Sequence, residues 1–60
     1  MKLSIVQMAD VLTAIAGGMT PGELAPSHCL SRWELMHEVM LAEFFGLRAW
    51  AIFGEAPAWA

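Results

Sequence analysis

The sequence predicts an all-α fold, a small bundle of three helices with a short fourth one. Three Ser or Thr residues are each followed three positions later by Glu or Gln, which is the spacing of a capping box at a helix start. The three pairs are Ser4–Gln7, Thr20–Glu23 and Ser31–Glu34. Apolar residues that can form a hydrophobic staple flank each box, as Leu3 and Met8, Met19 and Leu24, and Leu30 and Leu35. The predicted helices cover about residues 4–16, 21–25, 32–45 and 47–53.

The first predicted helix has its apolar residues at helical spacing on one face. These residues are Ile5, Met8, Val11, Leu12 and Ile15. Gly17 and Gly18 end this helix, because glycine adopts the left-handed conformation that closes a helix. The second helix has Pro21 at its first position, where the missing amide hydrogen costs nothing, and Pro26 keeps it short. We therefore predict that the second helix is a corner between two longer ones.

The third predicted helix is apolar around most of its circumference. Its only polar strip consists of Glu34, His37 and Glu38, which we expect to face solvent. Gly46 favours a break in the helix, with Leu47 supplying the apolar contact that often follows a glycine cap. The alternative interpretation is a tolerated glycine inside one longer helix. We favour the break, and with it a short fourth helix.

Length and composition indicate a domain with a marginal core. A chain of 60 residues buries only about 60% of the surface that it exposes when unfolded. We predict one helical domain over residues 1–54 and a flexible tail over residues 55–60. Cys29 is the only cysteine, so no disulfide can form within the chain. Hydrophobic residues make up 58% of the sequence, against about 45–50% in ordinary domains. A protein partner or a homo-oligomer is therefore expected to complete the fold.

Charge and hydropathy argue against several classes of protein. The net charge is −3 and no basic stripe is present, so we do not expect nucleic-acid binding. Gln7 and Asp10 interrupt the first apolar segment before it reaches the length of a signal peptide. Charged residues also interrupt every window of about 20 residues that could span a membrane. Together with the single thiol, which is typical of a reducing compartment, these features predict a cytoplasmic protein.

No group of residues predicts a catalytic, cofactor or metal site. His28, Cys29 and His37 lack the paired spacings of zinc ligands. Glu34 and His37 have the Glu-x-x-His order of di-iron bundle proteins, but this order occurs once and Glu34 already belongs to a capping box. The glycines after the first helix lack the lysine and the preceding strand of a phosphate loop. We therefore predict that the protein is not an enzyme.

Large apolar side chains are concentrated in the second half of the chain, in excess of what so small a domain can bury. Trp, Phe and Met are enriched at the centres of protein interfaces, and Met adapts to irregular partners. We therefore predict a partner interface within this region. It consists of Trp33, Met36, Met40, Phe44, Phe45, Trp50 and Phe53.

Two helix starts lie close together in the middle of the chain, Thr-Pro-Gly-Glu-Leu over residues 20–24 and Leu-Ser-Arg-Trp-Glu-Leu over residues 30–35. They resemble the helix starts of small tail-assembly chaperones of tailed bacteriophages. Such proteins carry a Thr-Pro-x-Glu-Leu start followed by a Leu-Ser/Thr-x-x-Glu-Leu start. The matching residues are Thr20, Pro21, Glu23 and Leu24, then Leu30, Ser31, Glu34 and Leu35, within about a quarter of the chain. The hydrophobic part over residues 43–53 has no counterpart in this pattern. The resemblance implies a cytoplasmic assembly factor that holds an aggregation-prone partner until assembly.

The sequence as a whole predicts a non-enzymatic protein–protein interaction module. One form of this hypothesis is an assembly chaperone or structural component of a phage-like particle. Another is a small inhibitor or adaptor that docks on a host protein. A membrane-associated small subunit of a larger complex is the alternative from a different class, because amphipathic aromatic residues settle at lipid interfaces.

Overall fold

The computed structural model describes all 60 residues and contains four α-helices and no strand, which confirms the all-α prediction. The helices are α1 (Ile5–Ala16), α2 (Pro21–Leu24), α3 (Arg32–Phe44) and α4 (Leu47–Phe53). A 3₁₀ turn, Ala25–His28, continues directly from α2. The predicted bounds of α4 agree with the structure, and those of the other helices differ by one residue at one end.

Two of the three predicted capping boxes form in full. The Ser4 hydroxyl accepts a hydrogen bond from the Gln7 amide at 3.1 Å, and the Gln7 side chain accepts one from the Ser4 amide at 2.9 Å. Ser31 and Glu34 make the same reciprocal pair with the same two distances. At Thr20 only the hydroxyl takes part, so the prediction of a third complete box is wrong. That helix has only four residues and continues at once into the 3₁₀ turn.

Glycines in the left-handed region end α1 and separate α3 from α4. Gly18 has φ = 106°, its amide donates to the Ile15 carbonyl at 3.0 Å, and the Met19 amide donates to the Ala14 carbonyl at 3.1 Å. These two bonds form a Schellman motif. Gly46 has φ = 76° and lies between the end of α3 and the start of α4. The predicted break is therefore confirmed.

One apolar cluster holds the helices together. Its buried members are Leu3, Met8, Val11, Leu12, Leu24, Ala25, Leu35, Ala42 and Leu47. Helix α1 makes its most extensive contacts with α4, and α3 packs against both of them and against α2. Ile5, expected on the buried face of α1, is instead 46% exposed because it lies in the first turn, at the edge of this cluster.

The molecule is only two helices thick. Its principal extents are 31 × 22 × 15 Å, and packed helices lie about 8–10 Å apart. A helix in such a body has one covered side and one free side. This geometry decides which apolar side chains of α3 remain exposed.

One residue of the polar strip of α3, Glu38, is buried, contrary to the prediction that the strip faces solvent. Glu38 is 3% exposed, and its carboxylate accepts hydrogen bonds from the backbone amides of Lys2 at 2.5 Å and Leu3 at 2.9 Å. The Lys2 ammonium group forms an ion pair with Glu34. The segment before α1 therefore covers Glu38, whereas the Glu34 side chain is 41% exposed and His37 is exposed, as predicted.

The tail over residues 55–60 contains no helix, but one of its side chains contacts the helical body. The Trp59 indole Nε1–H donates to the Phe45 carbonyl at 2.7 Å. The indole ring also packs edge-to-face against Phe45 and Trp50, with centroids 6.4 and 5.9 Å apart. The flexibility of this tail stays a prediction.

Candidate protein-binding surface

Four large apolar side chains form a stripe along the free side of α3. Trp33, Met36, Met40 and Phe44 are 69%, 36%, 67% and 84% exposed, respectively. With 3.6 residues per turn, positions 33, 36, 40 and 44 fall within about 80° of one another around the helix. They therefore form one continuous surface, which we call the α3 face.

The opposite side of the same helix explains this orientation. Leu35 and Ala42 are fully buried, and Glu38 lies beneath the segment before α1. These three residues occupy the side of the helix opposite the stripe. Because their contacts fix the rotation of α3 about its own axis, the stripe must point away from the body.

Two charged residues border the α3 face along one edge. The Arg32 guanidinium carbon lies 5.0 Å from the centre of the Trp33 ring, within the range of a cation–π interaction. The aliphatic stem of Arg32 runs close to Gly22, where an added Cβ would lie 3.3 Å from the Arg32 Cδ. At the other end of the helix, Glu43 forms an ion pair with Arg48 at 3.5 Å. Both charges remain accessible to a partner.

The seven predicted interface residues do not all lie on one surface. Phe53, 73% exposed, borders a shallow depression that Glu43 and Arg48 also line. Phe45 and Trp50 instead line grooves between α1 and α4. Only the four side chains of the α3 face are brought into a single stripe.

The α1–α4 groove is a second apolar surface and contains residues that were absent from the predicted interface. One part, of about 430 Å³, is lined only by apolar residues: Met1, Ile5, Phe45, Leu47 and Trp59. The adjoining part, of about 240 Å³, shares Ile5 and Leu47 and has Asp10 as its only polar residue. Val6, 72% exposed, lines this second part. The sequence contains one signal for this exposure, because Val6 is an apolar residue of α1 that falls outside the helical spacing of the buried residues.

The ion pair between Lys2, before α1, and Glu34 of α3 shifts the pKa of both side chains. The hydrogen bond from Lys2 lowers the pKa of Glu34 to about 2, and hydrogen bonds from the Ser31 amide and hydroxyl contribute to the same shift. The pKa of Lys2 is raised, first by its hydrogen bond to Glu34 and then by the charge of that carboxylate. A carboxylate with so low a pKa stays charged at neutral pH and makes a poor general base. The pair therefore has the properties of a structural tie.

The reactive and metal-binding residue types are dispersed. No three His, Cys, Asp or Glu side chains come together in a group that could hold a metal ion. Cys29 is exposed, and its backbone has the left-handed conformation, with φ = 56°, at the end of the 3₁₀ turn. In the structure no helix is both long and apolar enough to cross a bilayer.

Comparison with protein families, curated proteins and solved structures finds no match to this chain. The functional assignment therefore rests on the exposed surfaces, and the α3 face is the largest arrangement of predicted interface residues among them.

Proposed function

We propose that the protein is a non-enzymatic interaction module that binds a protein partner through the α3 face. The observation that carries this proposal is the stripe of Trp33, Met36, Met40 and Phe44, which the fold leaves exposed together on one helix. Tryptophan is among the residue types that contribute most to binding energy, and Met and Phe are enriched at interface centres.

The size of the stripe supports the same proposal. From their exposed fractions, the four side chains present roughly 500 Å² of mostly apolar surface. The whole molecule has only 3932 Å² of accessible surface. The largest apolar patch on a typical monomeric protein is about 300–600 Å² and is often functional. Burial against a partner would remove roughly an eighth of the surface of the molecule from water, which gives a hydrophobic driving force for binding.

The narrower form of the proposal is an assembly chaperone or structural component of a phage-like particle, acting in the cytoplasm. Its support is the resemblance of the helix starts at Thr20 and Ser31 to those of tail-assembly chaperones. Both residues cap helices, α2 and α3, and the second of these helices carries the exposed stripe. An exposed apolar surface such as the α3 face is suited to a protein that covers the apolar surface of a partner before assembly.

The test is a pair of charge substitutions at equally exposed apolar positions. Met40 is 67% exposed on the α3 face and Val6 is 72% exposed on the α1–α4 groove. We expect Met40→Glu to weaken binding of the native partner at least about tenfold, because it places an unpaired charge at the interface centre. Val6→Glu should bind like the unmodified chain. Loss of binding in Val6→Glu alone would contradict the proposal and move the site to the groove.

Affinity purification from native cells, with the unmodified chain and the two variants as bait, measures this binding and separates the alternatives by the proteins that it recovers. Structural particle proteins would support the chaperone form, whereas a host enzyme would support an inhibitor or adaptor. For a membrane-associated subunit the measurement is flotation with liposomes, and recovery of all the protein in the soluble fraction would contradict it.

A further inference from the structure

We propose that the α3 face pairs with the α3 face of a second copy of the chain, and that the two helices run antiparallel about a two-fold axis. This inference rests on the proposed function, because it names the partner of the same surface. Three observations carry it: the placement of the apolar residues along α3, the charges at the edge of the stripe, and the area of the stripe.

The apolar residues are arranged symmetrically about the middle of the helix. Met36 comes two positions before Glu38 and Met40 two positions after it. Trp33 comes five positions before Glu38 and Phe44 six positions after it. A two-fold interface brings residue i against j of the partner and j against i. An antiparallel pair centred near position 38 therefore sets Met36 against a partner Met40, and Trp33 against a partner Phe44, on both sides of the axis.

The two border charges complement each other in this arrangement and in no parallel one. Arg32 and Glu43 are eleven residues apart, so they lie about 20° from one another around the helix, along the same edge of the stripe. In an antiparallel helix pair, the same edges of the two helices face each other. Each Arg32 then faces a partner Glu43 and two intermolecular ion pairs form. In a parallel pair, this edge would face the edge that carries His37 and Leu41 instead.

Both charges are accessible for these contacts, and Glu43 would exchange its pairing with Arg48 for one with the partner's Arg32. The glutamate is about half exposed, and its ion pair with Arg48 has a long separation of 3.5 Å. Arg32 lies over the Trp33 ring at the start of the helix and has no carboxylate partner within the chain. Its contact with the ring can persist while the guanidinium reaches across the interface.

The area predicts how stable the dimer is. Two stripes of roughly 500 Å² bury about 1,000 Å² of mostly apolar surface, and the charged edges bring the total towards the lower end of the range for specific interfaces. We therefore expect a reversible dimer with a dissociation constant on the order of 10 µM rather than a permanent one.

Reversing the charge at Arg32, at Glu43 and at both positions together tests the antiparallel arrangement. Sedimentation equilibrium of the full chain, from about 1 µM to about 500 µM, should show a monomer–dimer equilibrium. We expect Arg32→Glu and Glu43→Arg each to raise the dissociation constant about tenfold, since each sets like charges together at two places. The variant that carries both substitutions should have a dissociation constant within about threefold of that of the unmodified chain, because both ion pairs form again with the charges exchanged.

The matched control is Glu55→Arg, which makes the same change of charge as Glu43→Arg at an exposed position in the tail. It should leave the dimer unaffected, and circular dichroism should show equal helix content in all variants. A double variant as weak as the single ones would overturn the antiparallel arrangement. A monomer over the whole concentration range would overturn self-pairing, while the Met40→Glu and Val6→Glu comparison would still decide the proposed function separately.

Cross-linking gives an independent measure of the helix direction. In a Cys29→Ser background, Met36→Cys and Met40→Cys chains are mixed in equal amounts and oxidised. Antiparallel pairing predicts that disulfides form mainly between the two different variants. Disulfides that form mainly between identical variants would overturn the proposal.

Discussion

Glu38 is the residue whose environment differs most from its expected one. A carboxylate on the core side of a helix is expensive to bury unless hydrogen bonds compensate for the lost water. Here two backbone amides, those of Lys2 and Leu3, donate to it. The residue thereby fastens the segment before α1 to α3, across 35 or more positions of sequence.

Removal of the Glu38 carboxylate should therefore destabilise the fold. We expect Glu38→Ala to lower the free energy of unfolding by about 2–3 kcal/mol, because a buried amide (Leu3) and a partly buried one (Lys2) lose a charged acceptor. Glu38→Gln keeps one acceptor oxygen and should cost about 1 kcal/mol. Chemical denaturation measures both values. The control is Glu43→Ala, at an exposed carboxylate, which should change stability by less than about 0.5 kcal/mol. Equal effects at positions 38 and 43 would contradict the structural role of Glu38.

At the scale of the element, α3 combines a complete N-terminal capping box with an ion pair from another segment. Glu34 takes part in both, since it accepts from the Ser31 amide and pairs with Lys2. Glutamine also serves at the third position of a capping box. The substitution Glu34→Gln therefore removes the charge while it preserves the cap.

This substitution should change how stability depends on pH. The pKa of Glu34 is lowered to about 2 in the folded state, below the value of about 4.3 expected when unfolded. The carboxylate therefore stabilises the fold above about pH 4.3, and this contribution is lost as the pH falls through the folded pKa near 2. At about neutral pH both members of the pair are charged, so we expect the unmodified chain to melt at a higher temperature than Glu34→Gln. This difference in melting temperature should vanish towards pH 2. A constant difference over this range would contradict the ion pair.

The stability contributed by Lys2 depends on pH in the opposite direction. The pKa of Lys2 is raised in the folded state. Its contribution is therefore present below the unfolded pKa and is lost only as the pH rises through the higher folded pKa, in the strongly alkaline range. The loss of stability in acid therefore reports protonation of Glu34, and the loss in alkali reports deprotonation of Lys2.

The helices themselves could be predicted because their ends are specified locally. Ser4, Ser31 and Gly46 act through neighbours within a few residues, so the sequence contains the whole interaction. The rotation of α3 about its axis could not be predicted in the same way. A strip of Glu34, His37 and Glu38 looks the same in sequence whether water or a distant segment covers it, and only the tertiary contact at Leu3 decides between them.

At the scale of the whole molecule, the division of the apolar surface depends on the thin two-layer packing. The sequence predicts that the residues of the α3 face belong to an interface. The same prediction includes Phe45 and Trp50, which line the α1–α4 groove instead. The contribution of Trp59 to that groove was not predicted, because glycine and proline near it indicated a frayed tail. Its indole contact with Phe45 joins residues 14 positions apart and leaves no local pattern.

The tail contact gives a prediction for the assembled fold. The Trp59 indole Nε1–H is hydrogen-bonded to the Phe45 carbonyl at 2.7 Å, whereas the Trp33 indole belongs to the exposed α3 face. We expect the indole proton of Trp59 to exchange with solvent measurably more slowly than that of Trp33 in the monomer at low concentration, as followed by NMR. Trp59→Phe should lower the free energy of unfolding by about 0.5 kcal/mol, since it keeps the ring contacts and loses the hydrogen bond. Equal exchange rates for the two indoles would show that the tail is free.

The Glu38 contact also determines which sequence changes the segment before α1 can tolerate. The carboxylate binds main-chain amides, so at position 2 it places no demand on the identity of the side chain. Proline is the exception, because it has no amide hydrogen to donate. Homologous chains that lack a lysine at position 2 would lose the ion pair with Glu34 but keep the attachment to Glu38. A glutamate at the position equivalent to Glu38 would therefore be the better marker of common structure.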